Sequence, residues 1–184
     1  MAQYVAFLRG IGLGNRRPKM NDLRAIFEKM KFGGVATFIA SGNVLFESSA
    51  GNGTKLEPLI EENLRRSLGY EVDSFIRTRA EVAAAAAFRP FSKKEMESPE
   101  NTVHCGFWKE AAGAALARGL LACRTEVDAF CVNGREFYWL CRIKTNESKV
   151  WASPAMKALK LPSSTMRNLT TLRKLAAQYP STAP

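Results

Sequence analysis

The chain has 184 residues, 46% of them hydrophobic and 24% charged, a globular composition with enough length for one sizeable core or two small ones. Lys and Arg number 27 against 17 Asp and Glu, a net charge of +10 that suits polyanionic partners such as nucleic acid, phosphorylated ligands or an anionic membrane surface. No run approaches the roughly 18 consecutive apolar residues of a membrane span, so a membrane protein is excluded as the reading.

The N-terminus has no basic segment ahead of an apolar stretch. It reads as a strand, Gln3 to Leu8, rather than a signal peptide, and a cytoplasmic location is expected. A Gly-rich loop follows. Leu23, Ile26, Phe27 and Met30 fall at helical spacing and predict a helix over Asn21 to Met30, with Asn21 or a neighbour as cap and Gly33-Gly34 as stop. Val35 to Ala40 and Val44 to Phe46 predict two strands joined by Ser41-Gly42-Asn43. Leu56, Leu59, Ile60, Leu64 and Leu68 share one face of a second helix that Gly69 closes, and Glu71 to Ile76 is again strand-like. The order is β-α-β-β-α-β, the split βαβ or ferredoxin-like motif.

A similar pattern returns. Arg79 to Phe88, with five consecutive alanines, predicts a helix. Residues 89–101 read as a Pro-punctuated polar loop. Thr102 to Trp108 predicts a strand and Glu110 to Leu121 a helix. Glu126 to Val132 and Glu136 to Cys141 predict strands around an Asn133-Gly134 turn. A short helical patch from Trp151 to Leu159 and a final helix from Thr165 to Tyr179, with Thr165 as its cap, complete the chain. The fold class is therefore α+β: two ferredoxin-like halves in tandem, 1–78 and 79–184, the second carrying a C-terminal helical extension.

Four cysteines, Cys105, Cys123, Cys131 and Cys141, lie in apolar, strand-like surroundings without a C-x-x-C pair. They read as reduced thiols. One histidine, His104, cannot build the usual His-containing metal cluster, and no acidic constellation replaces it. Ser41 lies in "IASGN", not G-x-S-x-G, and His104 reads as a half-buried strand residue rather than the general base of a Ser-His-Asp triad. No metal or cofactor is expected.

Arg9 to Lys19 holds three glycines and four cations between a strand and a helix. Backbone N–H groups and the helix dipole favour anions at such a junction. It matches neither G-x-G-x-x-G nor the P-loop signature. In this topology the first two strands run parallel through a right-handed crossover. The first strand then ends on the sheet edge where the second turns into the third. Gly10, Gly12 and Gly14 are thereby expected beside Ser41 and Asn43. The site expected for an anionic ligand comprises Arg9, Gly10, Gly12, Gly14, Arg16, Ser41 and Asn43, with Lys149, Arg167 and Asn168 as second-half candidates.

The same residues carry a family resemblance. Leu8-Arg9-Gly10-Ile11, Met20 with Leu23-Arg24, and Thr37 and Ile39 with Ser41-Gly42-Asn43-Val44 resemble the opening of DUF1697, a bacterial family of uncharacterised proteins. Pro90-Phe91, Gly134-Arg135-Glu136, Tyr138, Ser148-Lys149, Thr165, Arg167-Asn168 and Thr171 extend the match. Gly12 stands where the family usually has Asn, and Leu169 where it often has Trp. The resemblance implies a duplicated ferredoxin-like fold and supplies no activity. Three functional classes stay open: binding of a phosphorylated small molecule or nucleic acid, an enzyme acting on a phosphorylated or carboxylated metabolite, and a structural or dimerising module that forms a homodimer.

Overall fold

Two four-stranded antiparallel sheets organise the chain in a computed structural model that describes residues 1–12, 14–38 and 42–179. The chain divides into two compact units, residues 1–84 with 175–179, and residues 85–174.

The first unit runs β1 (Ala2–Arg9), α1 (Met20–Lys29), β2 (Gly33–Thr37), β3 (Asn43–Ser48), α2 (Gly53–Leu68) and β4 (Asp73–Thr78). Its sheet has the order β2-β3-β1-β4 with every neighbour antiparallel. Successive strand residues face opposite sides. Tyr4, Ala6 and Leu8 therefore join Val44, Phe46 and Ile76 in a core with Leu23, Ile26 and Phe27 of α1 and Leu56, Ile60 and Leu64 of α2. Each Val, Leu, Ile or Phe side chain among them contributes on the order of 1.5–3 kcal/mol on leaving water. Val5, Phe7, Leu45 and Phe75 alternate with these on the opposite face and are buried too.

Helix α2 starts at Asn52, whose side chain accepts the Thr54 N–H at 3.0 Å. It ends at Gly69, whose φ of 83° is left-handed and whose N–H reaches the Arg65 carbonyl at 2.9 Å. Along the free edge of β4, alternate backbone N–H groups are taken by carboxylates. Ser74 donates to Glu61 at 3.0 Å, Ile76 to the buried Glu57 at 3.2 Å and Thr78 to Glu81 at 2.8 Å.

Helix α3 (Arg79–Ala87) contains the division between the units. The second unit continues with α4 (Lys93–Glu97), β5 (Thr102–Phe107), α5 (Ala114–Ala122), β6 (Asp128–Asn133) and β7 (Glu136–Cys141). Two 3-10 turns follow, Thr145–Glu147 and Val150–Ala152, then α6 (Pro154–Ala158), β8 (Thr165–Asn168) and α7 (Leu169–Gln178). The sheet order is β6-β7-β5-β8, again all antiparallel. An aromatic core of Trp108, Phe130, Phe137, Trp139 and Trp151 packs with Leu120, Val150 and Met156. Asp128, only 2% exposed, ties the first 3-10 turn region to this sheet. It accepts hydrogen bonds from Trp139 Nε1 at 2.9 Å, Ser148 Oγ at 2.8 Å and Thr125 Oγ1 at 2.6 Å.

Several local expectations are corrected. Thr165 opens a strand rather than capping a helix, because Thr165–Asn168 pairs with β5. Asn168 caps α7, its Oδ1 accepting the Thr170 N–H at 2.8 Å. Helix α1 begins after Lys19, not Asn21, with no side-chain cap. It stops at Met30, with Lys31 left-handed (φ 63°), so Gly33 and Gly34 open β2 instead of ending the helix. Residues 89–101 contain α4, with Ser92 Oγ accepting the Glu95 N–H at 3.2 Å. Helix α5 starts at Ala114, four residues later than the spacing predicts. In the second hairpin Asn133 pairs with Glu136, leaving Gly134-Arg135 as the central residues. Gly134 alone is left-handed there, at φ 63°, the pattern of a type II′ turn. Ile39, Ala40 and Ser41 lie outside the described residues, and with them the end of the second predicted strand.

Candidate functional site

The first unit brings one loop and one hairpin to the same sheet edge. β1 and β2 are both antiparallel to β3, so they run parallel and finish at that edge. The Leu8 N–H donates to the Gly42 carbonyl at 2.8 Å, and Phe7 lies opposite Asn43. β4 starts here as well, with Asp73 opposite Arg9, and the chain leaving α2 arrives through Tyr70 and Glu71.

The loop's path depends on glycine. Gly10 has φ 87° and Gly12 has φ 90°, conformations that cost a side-chain-bearing residue about 1 kcal/mol or more. Gly12 donates its N–H to the Arg16 carbonyl at 2.7 Å, closing the loop on itself. Gly14 is left-handed too, at φ 55°, with open space beside it. Arg9, Arg16, Arg17 and Lys19 are all exposed. The Arg16 guanidinium lies 4.9 Å from the centroid of the Tyr70 ring, an arrangement that orients a planar cation and leaves its edge available. Arg17 and Lys19 have no ion-pair partner among the described residues. Lys19 directly precedes the first turn of α1, whose N–H groups lack a side-chain cap.

Asn43 is held differently. It is 3% exposed, and its Nδ2 donates to the Phe38 carbonyl at 2.9 Å while Phe38 N–H returns to the Asn43 carbonyl at 3.1 Å. Its amide nitrogen thus locks the hairpin. Ser41 lies outside the described residues.

The other three candidates belong to the second unit and are spread over it. Lys149 is exposed at the start of the second 3-10 turn. Arg167 on β8 is half-buried, with Nη1 donating to Thr165 Oγ1 at 2.7 Å and to the Met166 carbonyl at 2.8 Å. Desolvation pulls its guanidinium down to about 10. Asn168, next in the strand and on the opposite face, lines a shallow cavity of about 240 Å³ with Asn101, Thr102, Thr170 and Arg173. No group of three or more His, Cys, Asp or Glu able to hold a metal ion occurs among the described residues. None of their helices is long and apolar enough to cross a membrane.

Tyr70 is the residue of this edge that pattern reading overlooks. The signal was available: a helix that starts at the far edge must deliver its C-terminus, "LGYE", to the edge where β1 ends.

Comparisons bear on the whole arrangement. A solved structure described as that of conserved bacterial protein SP0830 from Streptococcus pneumoniae matches with a TM-score of 0.71 at 17% sequence identity, covering 97% of this chain and 98% of that one. At that identity the likeness speaks to fold alone. No curated protein sequence matches the chain. The family model described as "Protein of unknown function (DUF1697)" matches residues 1–138, which takes in both the glycine loop and the Asn43 hairpin. The chain belongs to the DUF1697 family.

Proposed function

We propose that the protein binds a phosphate-bearing ligand at the first unit's glycine-loop edge, and that it does so without chemistry of its own. The observation that carries this reading is the co-location of a loop with three left-handed glycines and four exposed cations at one sheet edge, fixed by the Leu8–Gly42 hydrogen bond. Left-handed glycines let successive N–H groups approach an anion closely, and the uncapped first turn of α1 adds its partial charge. Arg16, poised on Tyr70, supplies a fork suited to phosphate oxygens. Asn43 acts through the hairpin it locks; Arg9, Gly10, Gly12, Gly14, Arg17 and Lys19 complete the site.

The finer architecture supports the same frame. We read each unit as ferredoxin-like and the chain as a tandem of 1–78 and 79–184. The identical strand orders favour a duplication, as does a matching hydrogen bond in the second unit, where Trp108 N–H donates to the Arg135 carbonyl at 2.9 Å. Four free cysteines fit a reducing, cytoplasmic setting.

Titration calorimetry with inorganic pyrophosphate, a nucleoside triphosphate and a short single-stranded RNA tests the reading. Arg16→Ala with Arg17→Ala and Lys19→Ala is expected to weaken binding by about tenfold or more, since charge-assisted hydrogen bonds are each worth roughly 1.5–3 kcal/mol. Absence of binding, or an unchanged affinity in the triple variant, overturns it. A steep loss of affinity with salt, seen with RNA and not with the nucleotide, would identify nucleic acid as the ligand class.

A further inference from the structure

The two sheets present four edge strands, and three carry a feature that blocks pairing with another chain. On β4 the outward N–H groups of Ser74, Ile76 and Thr78 are occupied by Glu61, Glu57 and Glu81. On β2 the register with β3 shifts between Gly33 and Ala36, a bulge in a five-residue strand. β8 is only four residues long. The remaining edge, β6, has none of these. Its six residues, "DAFCVN", keep unbroken register with β7, and its one charged residue, Asp128, is buried.

The outward groups of β6 can be identified. Arg142 N–H donates to the Val127 carbonyl at 2.8 Å, one step beyond the Asp128–Cys141 pair. Hydrogen-bonded and non-hydrogen-bonded pairs alternate along an antiparallel ladder. Ala129, Cys131 and Asn133 therefore turn their peptide groups to β7, while Asp128, Phe130 and Val132 turn theirs outward. Thr125 satisfies Asp128, donating its N–H to the Asp128 carbonyl at 3.0 Å and accepting the Asp128 N–H on Oγ1 at 3.0 Å. The outward N–H and C=O groups of Phe130 and Val132 have no partner among the described residues.

We propose that β6 pairs antiparallel with β6 of a second copy of this chain, about a two-fold axis through Cys131. This inference is separate from the ligand reading. A two-fold axis normal to a sheet keeps opposed side chains on one face, so only residues of equal parity can meet. With the axis at Cys131, Phe130 meets the partner's Val132 and Val132 meets the partner's Phe130. All the outward groups of both residues are then used. With the axis at Phe130, Val132 would face the partner's Asp128, which Thr125 already satisfies. The Cys131 register also sets Arg135, just past the strand, opposite the partner's Val127 and next to the partner's Glu126, so unlike charges meet at both ends. Cys131 faces the partner's Cys131 as a non-hydrogen-bonded pair, with Cα atoms about 4.5 Å apart, inside the range a disulfide spans. Cys131 is the half-buried thiol; Cys105, Cys123 and Cys141 are buried.

Light scattering across a concentration series, with diamide crosslinking, tests the proposal. The wild-type chain is expected to show a concentration-dependent dimer. Diamide, taking two electrons and two protons as it becomes the hydrazine, is expected to convert two Cys131 thiols into one disulfide and trap that dimer. Cys131→Ser should abolish the covalent product. Val132→Pro removes an outward N–H and spares the β7 ladder, and should weaken dimerisation about tenfold or more. A chain monomeric at every concentration overturns the proposal, whether or not the edge takes up an unrelated peptide strand. So does a dimer that Val132→Pro leaves intact. Should Val132→Pro fail to fold by circular dichroism, the comparison of wild type with Cys131→Ser under diamide decides alone.

Discussion

The backbone N–H of Leu8 donates to the carbonyl of Gly42 at 2.8 Å, and this bond decides what the Gly42-Asn43 end of the hairpin is next to. It extends the β1–β3 ladder one step past the Phe7–Asn43 pair, so the hairpin cannot swing away from the strand that feeds the glycine loop. Hairpin and loop are thus one mechanical unit. A ligand seated on the loop cations would sense the shape of a hairpin it need not touch.

Replacing Asn43 separates the two roles that its sequence context allows. Asn43→Ala removes a buried donor and leaves the Phe38 carbonyl without it, at a cost of about 1–2 kcal/mol. Urea denaturation is expected to show that loss. Pyrophosphate affinity, measured on the folded variant, should stay within about twofold if Asn43 only locks the turn. A larger drop in affinity at unchanged stability would make Asn43 a ligand contact and sink this assignment.

Asp128 carries the heaviest polar duty in the second unit. Three side-chain donors converge on it, from β7, from the segment leading into β6 and from Ser148. Asp128→Ala leaves the buried Trp139 indole N–H without its acceptor. The expected cost is about 2–4 kcal/mol, with Ser148→Ala alone costing about 1 kcal/mol. Equal effects from both substitutions would show that the Trp139 and Thr125 bonds contribute nothing.

How far the fold was legible follows from what each feature depends on. The β-α-β-β-α-β order of the first unit rests on local periodicity and on Gly69, and these are written in the residues themselves. The shared edge followed from β1 and β2 running parallel across a helical crossover, which needs no side-chain detail. β8 was not legible. Four residues give no measurable alternation, and "TMRN" runs straight into a helical pattern; only pairing with β5, some sixty positions earlier, makes it a strand. The end of α1 near Met30 was legible from its spacing, but not what stops it: Lys31 takes the left-handed conformation that glycine usually provides, and Gly33-Gly34 belong to β2. Within the candidate site, the cations were visible as residue types. The burial of Asn43 and the desolvation of the half-buried Arg167 were not, because both look like polar surface until the neighbouring strands are laid down.

Gly106 is a packing requirement rather than a turn. A Cβ built there would fall 2.0 Å from Phe137 Cζ, on a residue that is 1% exposed and whose ring lies tilted against Trp108 with centroids 4.7 Å apart. Gly106→Ala must push that ring into a filled core, a strain of about 1–3 kcal/mol or more. The double variant Gly106→Ala with Phe137→Leu is expected to recover part of the loss, because the clash is with the ring itself. Strict additivity in a double-mutant cycle would refute the steric account.

His104 gives the fold a dependence on acid. Its ring stacks on Trp139 with centroids 5.0 Å apart, and its Nδ1 is buried without a hydrogen-bond partner among the described residues. Burial disfavours the imidazolium and lowers its pKa below the ordinary 6.5. The unfolded chain therefore takes up a proton at a higher pH than the folded one. Stability should be flat in this group above pH 6.5 and decline as the pH falls below it, with a limiting slope of about 1.4 kcal/mol per pH unit until the folded-state pKa is passed. The sequence holds one histidine, so no second imidazole contributes to that window. Urea midpoints measured from pH 7.5 down to about 5, where carboxylates begin to titrate, should therefore fall in the wild type and stay level in His104→Gln. Parallel curves for the two proteins would show that the buried ring is not what the acid acts on.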